Sequence, residues 1–337
     1  MINVDLKNIK AKSIRAVFLS IASSQKTTRA EIARDTGLSL MTVGKIADIL
    51  TRAGITEEEK ESSGAVGRRA SSIRISGLYY GIILDVSSDT YICEIVDAAT
   101  KTMDQFSYAY NRDYYKEENL LLFLKNLSLY LSTRYDPEKC FGIGVIEEKF
   151  LRGTSAKKFT ASAQESDSAS IRKETQKALA QYSQSIQWMS RVEAAAHHAA
   201  SRTPEQNKSI ILYCYAEENI QSVMLVQGKP LTGKNGAIGN IEPQLEHLFP
   251  LSNEPKPAAQ IATAIKQAAM LLDPHKLVIE IDGHTEAFIH ELQNHIFDIG
   301  LNQENCTLTT QGARNARRGA ALRVRDQWIH SVVSSEI

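Results

Sequence analysis

Apolar residues at helical spacing open the chain: Leu6, Ile9, Ile14, Val17, Phe18 and Ile21 share one stripe and predict a packing helix. The stretch "TRAEIARDTGLSLMTVGKIADILTRAGI" (residues 28 to 55) then reads as two short helices joined by a tight turn. Thr28 followed by Glu31 is a capping box for the first, Gly37 breaks it, and Ser39 caps the second. In the second helix Val43, Ile46, Ala47 and Leu50 form an apolar face. Met41, Lys45, Asp48 and Arg52 lie opposite, with Thr42, Gly44 and Ile49 on the flanks. Downstream, "ITEEEKESSGAVGRRASSIRIS" predicts strand, glycine-bearing turn and strand, with Ile73 and Ile75 alternating against Arg74.

Beyond Gly77 the period shortens. Residues 79–86, 91–97 and 103–110 are β-rich runs with short turns, an antiparallel meander. A helix over 117–135 follows, with Leu120, Leu121, Leu124, Leu127 and Leu131 at helical spacing, then the strand "FGIGVI". A polar Ser/Ala/Lys-rich loop is predicted over 152–169, then a helix, a short strand over 186–189 and the helix "RVEAAAHHAA". A second set starts with the strands "SIILYCYA" and "IQSVMLVQG" and continues with a helix over 257–272, the strand "KLVIEID", and helices over 286–299 and 313–328. Two successive units of meander plus helices predict an α/β body with the two lobes of the actin-like ATPase fold, behind a head of winged helix-turn-helix pattern.

Length and charge sharpen this picture. At 337 residues the chain is long enough for about two domains. Residues 1–76 hold 13 Lys+Arg against 8 Asp+Glu, a net +5 that the rest balances with −5, as expected of a nucleic-acid-binding head on an acidic body. The longest apolar runs fall short of the ~18 residues of a membrane span, and the N-terminus lacks an apolar signal core, so a cytoplasmic protein with no membrane partner is expected. Cys93, Cys140, Cys214 and Cys306 form no CxxC pair, so free thiols are expected rather than a disulfide framework or a zinc knuckle.

In a helix-turn-helix the N-terminal part of the second helix enters the major groove. Ser39, Met41, Thr42 and Lys45 are therefore candidate DNA contacts, with Arg29 beside them; the competing reading is a plain helical hairpin. Gly67, Arg68 and Arg69 at the wing tip join flexible backbone to adjacent guanidinium groups, suited to phosphate or to a narrow minor groove. A merely basic, solvated loop is the alternative. The acidic run Glu57, Glu58 and Glu59 is expected to face away from DNA. His197 and His198 point about 100° apart and do not converge on a metal. His284, His290 and His295 form no closed ligand set, so neither metal nor cofactor is expected.

The string "TRAEIARDTGLSLMTVGKIADIL" followed by "GRRASSIRI" resembles the N-terminal region of repressors of the ROK family (repressors, open reading frames and sugar kinases), of the NagC/XylR type. That resemblance covers residues 11 to 325 and implies a winged helix-turn-helix over 1–76. Residues 77–337 would then be an actin/hexokinase-fold effector and dimerisation domain, with lobes 77–189 plus 313–337 and 190–312.

The family's chemistry is eroded along this chain. The family's Asp-Gly-Gly-Thr phosphate loop is matched by Asp85-Val86-Ser87-Ser88-Asp89-Thr90, without glycines that let backbone approach phosphate. Its catalytic aspartate falls on Arg191, a guanidinium that cannot act as general base. Its Gly-Glu-Ile-Gly-His sugar clamp matches Gly236-Ala237-Ile238-Gly239-Asn240, and its zinc cysteines have no counterpart. Glu280 and Asp282 stand where the adenine-side turn tends to have glycine.

The resemblance thus implies a non-enzymatic regulator that binds an inverted-repeat DNA operator as a homodimer. An effector cleft would be lined by Arg191, Glu193, Asn240 and Glu242. Arg191 either favours an anionic ligand such as a sugar phosphate or sugar acid, or forms a salt bridge to Glu193 or Glu242. The alternatives are a sugar kinase with an appended DNA-binding head, and an effector-blind dimeric DNA-binding protein. Arg314, Arg317, Arg318, Arg323 and Arg325 are expected to make a solvated or interlobe basic face on the last helix.

Overall fold

The computed structural model describes residues 2–24, 26–60, 71–87, 90–109, 111, 116–147, 161–183, 185–202, 210–216, 220–231, 258–281, 285–298 and 306–335. The first 76 residues form α1 (Ile2–Ser23), α2 (Arg29–Thr36), α3 (Leu40–Arg52) and the antiparallel strands β1 (Thr56–Lys60) and β2 (Ser71–Ile75). The caps form as the sequence predicts: the Thr28 side chain and the Glu31 carboxylate satisfy each other's backbone N–H groups, and Gly37 closes α2 in the left-handed region at φ 69°. One feature is silent in the sequence pattern. Thr27 adds itself to the β1–β2 ribbon, exchanging hydrogen bonds with Ile73 of 3.0 and 2.6 Å.

Ile14, Val17, Phe18 and Ile21 of α1 meet Ile32, Val43, Ile46, Ala47, Leu50, Ile55 and Ile73 in one buried cluster. Full burial of each Val, Leu, Ile or Phe side chain among them contributes about 1.5–3 kcal/mol.

Two five-stranded sheets make up the rest. The first runs β5 (Thr102–Ala109), β4 (Thr90–Asp97), β3 (Tyr80–Asp85), β6 (Cys140–Glu147), β7 (Ile186–Ser190). The second runs β10 (Lys229–Pro230), β9 (Ile220–Val226), β8 (Ile210–Ala216), β11 (Lys276–Ile281), β12 (Cys306–Thr309). In each sheet a three-stranded antiparallel meander is followed by two parallel strands, so the two lobes repeat one topology. The helices α4 (Lys116–Ser132) and α5 (Ala161–Leu179) serve the first lobe, and α7 (Ala258–Leu272) and α8 (Glu286–Asp298) the second.

The helices that follow the last strand of each sheet cross over. α6 (Arg191–Ser201), leaving β7, packs on β8 and β9 of the second sheet, while α9 (Gly312–Ser335), leaving β12, packs on β3 and β6 of the first. They also pack on each other, in the most extensive contact between elements among the described residues. Gly319 allows this: a β-carbon there would run into the Ala194 carbonyl oxygen and lie 2.9 Å from the His198 backbone nitrogen. The C-terminal half of α9 reaches the head, with Ile329 in the head core and Asp326 paired with Arg15 at 2.6 Å, while Trp328 stacks on Phe141 of β6 at 4.9 Å.

Four expectations change. Helix α5 starts at Ala161, inside the segment expected to be loop, because its Ala, Gln, Glu and Lys residues favour helix without an apolar stripe to announce it. The four-residue strand β12 is too short to register as a pattern. On α4 Phe123 is buried and Leu121 is exposed, which rotates the buried stripe. The final helix extends to Ser335, and its arginines are not one solvated face: Arg325 is buried and Arg317 is almost so.

Candidate functional site

Helix α3 keeps its apolar face in the head core and offers the other side to solvent. Ser39, the N-cap, accepts from the Thr42 backbone N–H at 3.1 Å, and the Ser39 and Thr42 hydroxyls are bonded to each other at 2.9 Å. Leu40 and Met41 stand 61% and 70% exposed in the first turn, and Lys45 is exposed one turn on. An exposed helix N-terminus with two hydroxyls, a thioether and an ammonium group can accept a phosphate at its N–H groups and offer donors and methyl contacts to base edges.

The surrounding charges are more tightly tied than the sequence indicates. The Arg29 guanidinium on α2 donates to Asp48 on α3 at 2.8 Å and to Glu58 on β1 at 3.3 Å, so it joins three elements. Its place is that of a positioning group as much as a contact. The acidic run is paired within the head: Glu57 with Arg74 at 2.8 Å, Glu58 with Arg29, and Glu59 with Lys26 at 2.7 Å. Each carboxylate is thereby neutralised within the head, and Lys26 holds Glu59 below the usual carboxylate range. Lys45 forms no ion pair among the described residues. Gly67, Arg68 and Arg69 lie outside the described residues.

The second candidate region is the C-terminal edge of the first sheet. Asp85 ends β3, Glu147 ends β6, and Ser190 ends β7, opposite Glu147 in register. Asp85 is buried; it accepts from the Ser87 hydroxyl at 2.6 Å and from Arg317 at 3.4 Å, while Arg317 also donates to Glu94 at 2.6 Å. Glu147 is held by Arg172 of α5, whose guanidinium also lies over the Trp188 ring at 5.2 Å. Arg191, the first residue of α6, is 9% exposed. Glu193 closes a capping box with Ser190, its carboxylate accepting from the Ser190 backbone N–H at 3.0 Å. That bond gives it a structural duty in addition to any ligand contact.

Sequence reasoning singled out Arg191, Glu193 and Asp85 but missed Glu147, Arg172, Trp188 and the partnership of Arg317. The Arg317–Asp85 contact joins residues 232 apart, so no local pattern signals it. Asn240 and Glu242 lie outside the described residues. On the second sheet Glu280 is buried and accepts from the Asn315 side chain at 2.8 Å, so it anchors the start of α9. Among the described residues no group of three or more His, Cys, Asp and Glu side chains could hold a metal ion, and no helix is long and apolar enough to cross a membrane.

No protein-family model matches this chain, and no curated protein matches its sequence. Solved structures do share its fold. The crystal structure of a ROK family transcriptional regulator, a homolog of the E. coli MLC protein, covers 97% of this chain and 99% of its own, with a TM-score of 0.59 at 11% identity. An inorganic polyphosphate/ATP-glucomannokinase from Arthrobacter sp. strain KM covers 74% of this chain and 99% of its own, with a TM-score of 0.50 at 15% identity. A ROK hexokinase from Thermus thermophilus covers 72% and 97%, with a TM-score of 0.46 at 15% identity. The likeness is one of fold: a mixed α/β chain with the actin-like body of ROK proteins.

Proposed function

We propose that this protein is a sequence-specific DNA-binding transcriptional regulator, a repressor of carbohydrate-related genes in the cytoplasm, that binds an inverted-repeat operator as a homodimer. Residues 1–76 are its winged helix-turn-helix head, and residues 77–337 its effector and dimerisation body, with lobes 77–189 plus 313–337 and 190–312. The observation that carries the reading is coverage. The regulator's fold accounts for 97% of this chain, whereas the glucomannokinase leaves about a quarter of it unmatched.

Two recognition helices would enter successive major grooves about 34–36 Å apart. Ser39, Met41, Thr42 and Lys45 would meet base edges, and Gly67, Arg68 and Arg69 would add minor-groove or phosphate contacts. Arg29 would hold α2, α3 and β1 in register for them. Selection of bound duplexes from a random library tests this directly: a palindromic consensus with half-sites one helical turn apart is expected. Recovery of no consensus above nonspecific binding would sink the reading.

The body is assigned no catalysis. Arg191 stands where a general base would be required, and a guanidinium stays protonated near neutral pH. Asp85 is committed to Ser87 and Arg317, and Glu193 caps its own helix. A sugar-derived or sugar-phosphate anion bound near Arg191, Glu193, Asn240 and Glu242 would release DNA by favouring one arrangement of the two heads, which demands unequal affinity for the two states. The kinase-like body keeps a second reading in play, a sugar kinase with an appended head; ATP-dependent phosphorylation of any hexose would establish it instead.

A further inference from the structure

The junction of α6 and α9 gathers positive charge that the ion pairs described above do not absorb. Arg202 caps the C-terminal end of α6. Arg314 and Arg318 lie four residues apart on α9 and therefore share one face. The close approach at Gly319 brings α9 against the His198 backbone, and Arg202 follows His198 by four residues on α6. The side chains feel one another: burial and then the charges of Arg314 and Arg202 hold the Arg318 guanidinium below its usual range. His198 is pushed down to about 4 by burial, Arg318 and Arg202.

None of these arginines has a carboxylate partner among the described residues. Glu94, whose field reaches Arg318, is already bonded to Arg317 at 2.6 Å. Arg314 stands in the first turn of α9, where the helix dipole also disfavours a cation and no acidic residue compensates. Convergent cations with this much mutual repulsion are what a bound anion would relieve.

We propose that Arg202, Arg314 and Arg318 form a binding site for a phosphate-bearing anion, separate from the Arg191 end of the cleft. Guanidinium forks match phosphate oxygens in bidentate pairs, and convergent cations suit a multiply charged phosphoryl group better than a monoanion. Arg191 and Arg202 mark opposite ends of α6, about 16 Å apart along its axis. The site also differs from a duplex-binding surface, which needs an exposed row of cations following successive phosphates; here Arg318 is half-buried and the charges converge on a helix crossing. An anion held there would tie α6 to α9 and so brace the crossing of the two lobes. This inference does not depend on the DNA-binding reading.

Calorimetric titration of the full-length protein with inorganic pyrophosphate, at ionic strength held constant with chloride, tests it. Saturable binding at one site is expected, together with an upward shift of the His198 titration in NMR, because an anion beside the ring favours its charged form. Arg202→Gln and Arg314→Gln, at exposed positions that leave the fold intact, are expected to weaken binding at least tenfold each, as is Arg318→Gln. Absence of saturable binding to the unaltered protein, or equal binding by the Arg202→Gln and Arg314→Gln variants, would overturn the proposal. So would a duplex that displaces pyrophosphate from the unaltered protein and binds these variants more weakly, since that outcome assigns the arginines to nucleic acid.

Discussion

Arg317 ties together two buried carboxylates of the first lobe. Its guanidinium neutralises the buried Asp85 and also Glu94. Substitution by Met keeps much of the volume and removes the charge, leaving two carboxylates with their desolvation uncompensated; such a break costs about 3–5 kcal/mol. Chemical denaturation of Arg317→Met should show that loss, with partial recovery when Asp85→Asn is added. No loss would mean the triad carries no stability.

The histidines set a second expectation at this scale. His197 is held down to about 4 by burial first and then by Arg323, and His198 by burial and by Arg318 and Arg202. Against an ordinary value of 6.5, the unfolded chain binds protons that the folded chain refuses, so stability falls as pH drops from about 6.5 to about 4. A plot of Tm against pH should slope upward across that window, and the slope should flatten in a His197→Gln/His198→Gln variant. An unchanged slope would place both rings in solvent. Residue chemistry was legible in the sequence where it is local, as in the capping box of Thr28 with Glu31, and illegible where the partner is remote, as for Arg317 and Asp85.

Among the elements, the crossing of α6 and α9 allows least change. A methyl group at Gly319 would collide with backbone, which cannot rotate away as a side chain can. Gly319→Ala is therefore expected to destabilise by at least the 1–3 kcal/mol typical of overpacking, despite Ala's better helix propensity. Thermal unfolding measures it, and a stabilised variant would contradict the close crossing.

Helix α3 shows why some elements were readable: a helix with one apolar face leaves a period that survives in the sequence, and Val43, Ile46, Ala47 and Leu50 are all buried as that period predicts. Helix α5 carries no comparable stripe, and β12 is four residues long, so neither left a period to read.

For the whole molecule, the repeated strand order is the organising fact. Each lobe lays down a meander and two parallel strands, then sends its last helix onto the other lobe's sheet. The lobes are thereby interlocked. The second of these crossing helices continues to the head, where Ile329 and Asp326 meet the head core and Arg15, while Trp328 stacks on Phe141 of β6. A shift of α6 against α9 therefore has a contiguous route to α1, which is the mechanical premise of the effector control proposed above. Pattern alone gave the two lobes, because a strand-rich and helix-rich order repeats along the chain. It did not give the docking of α9 on the head, since that contact joins the two ends of the sequence.

In the function proposed above α3 reads DNA. Equilibrium binding of a selected duplex and a scrambled one, across a salt series, should be compared for the unaltered protein, Lys45→Ala and Arg68→Ala/Arg69→Ala. Tight binding to the selected duplex with a steep loss in salt is expected. A loss of about 1–3 kcal/mol is expected with Lys45→Ala where that ammonium group meets a base edge. The arginine variant should weaken both duplexes and flatten the salt slope. Equal affinity for the two duplexes in the unaltered protein, unchanged in both variants, would contradict the proposed function.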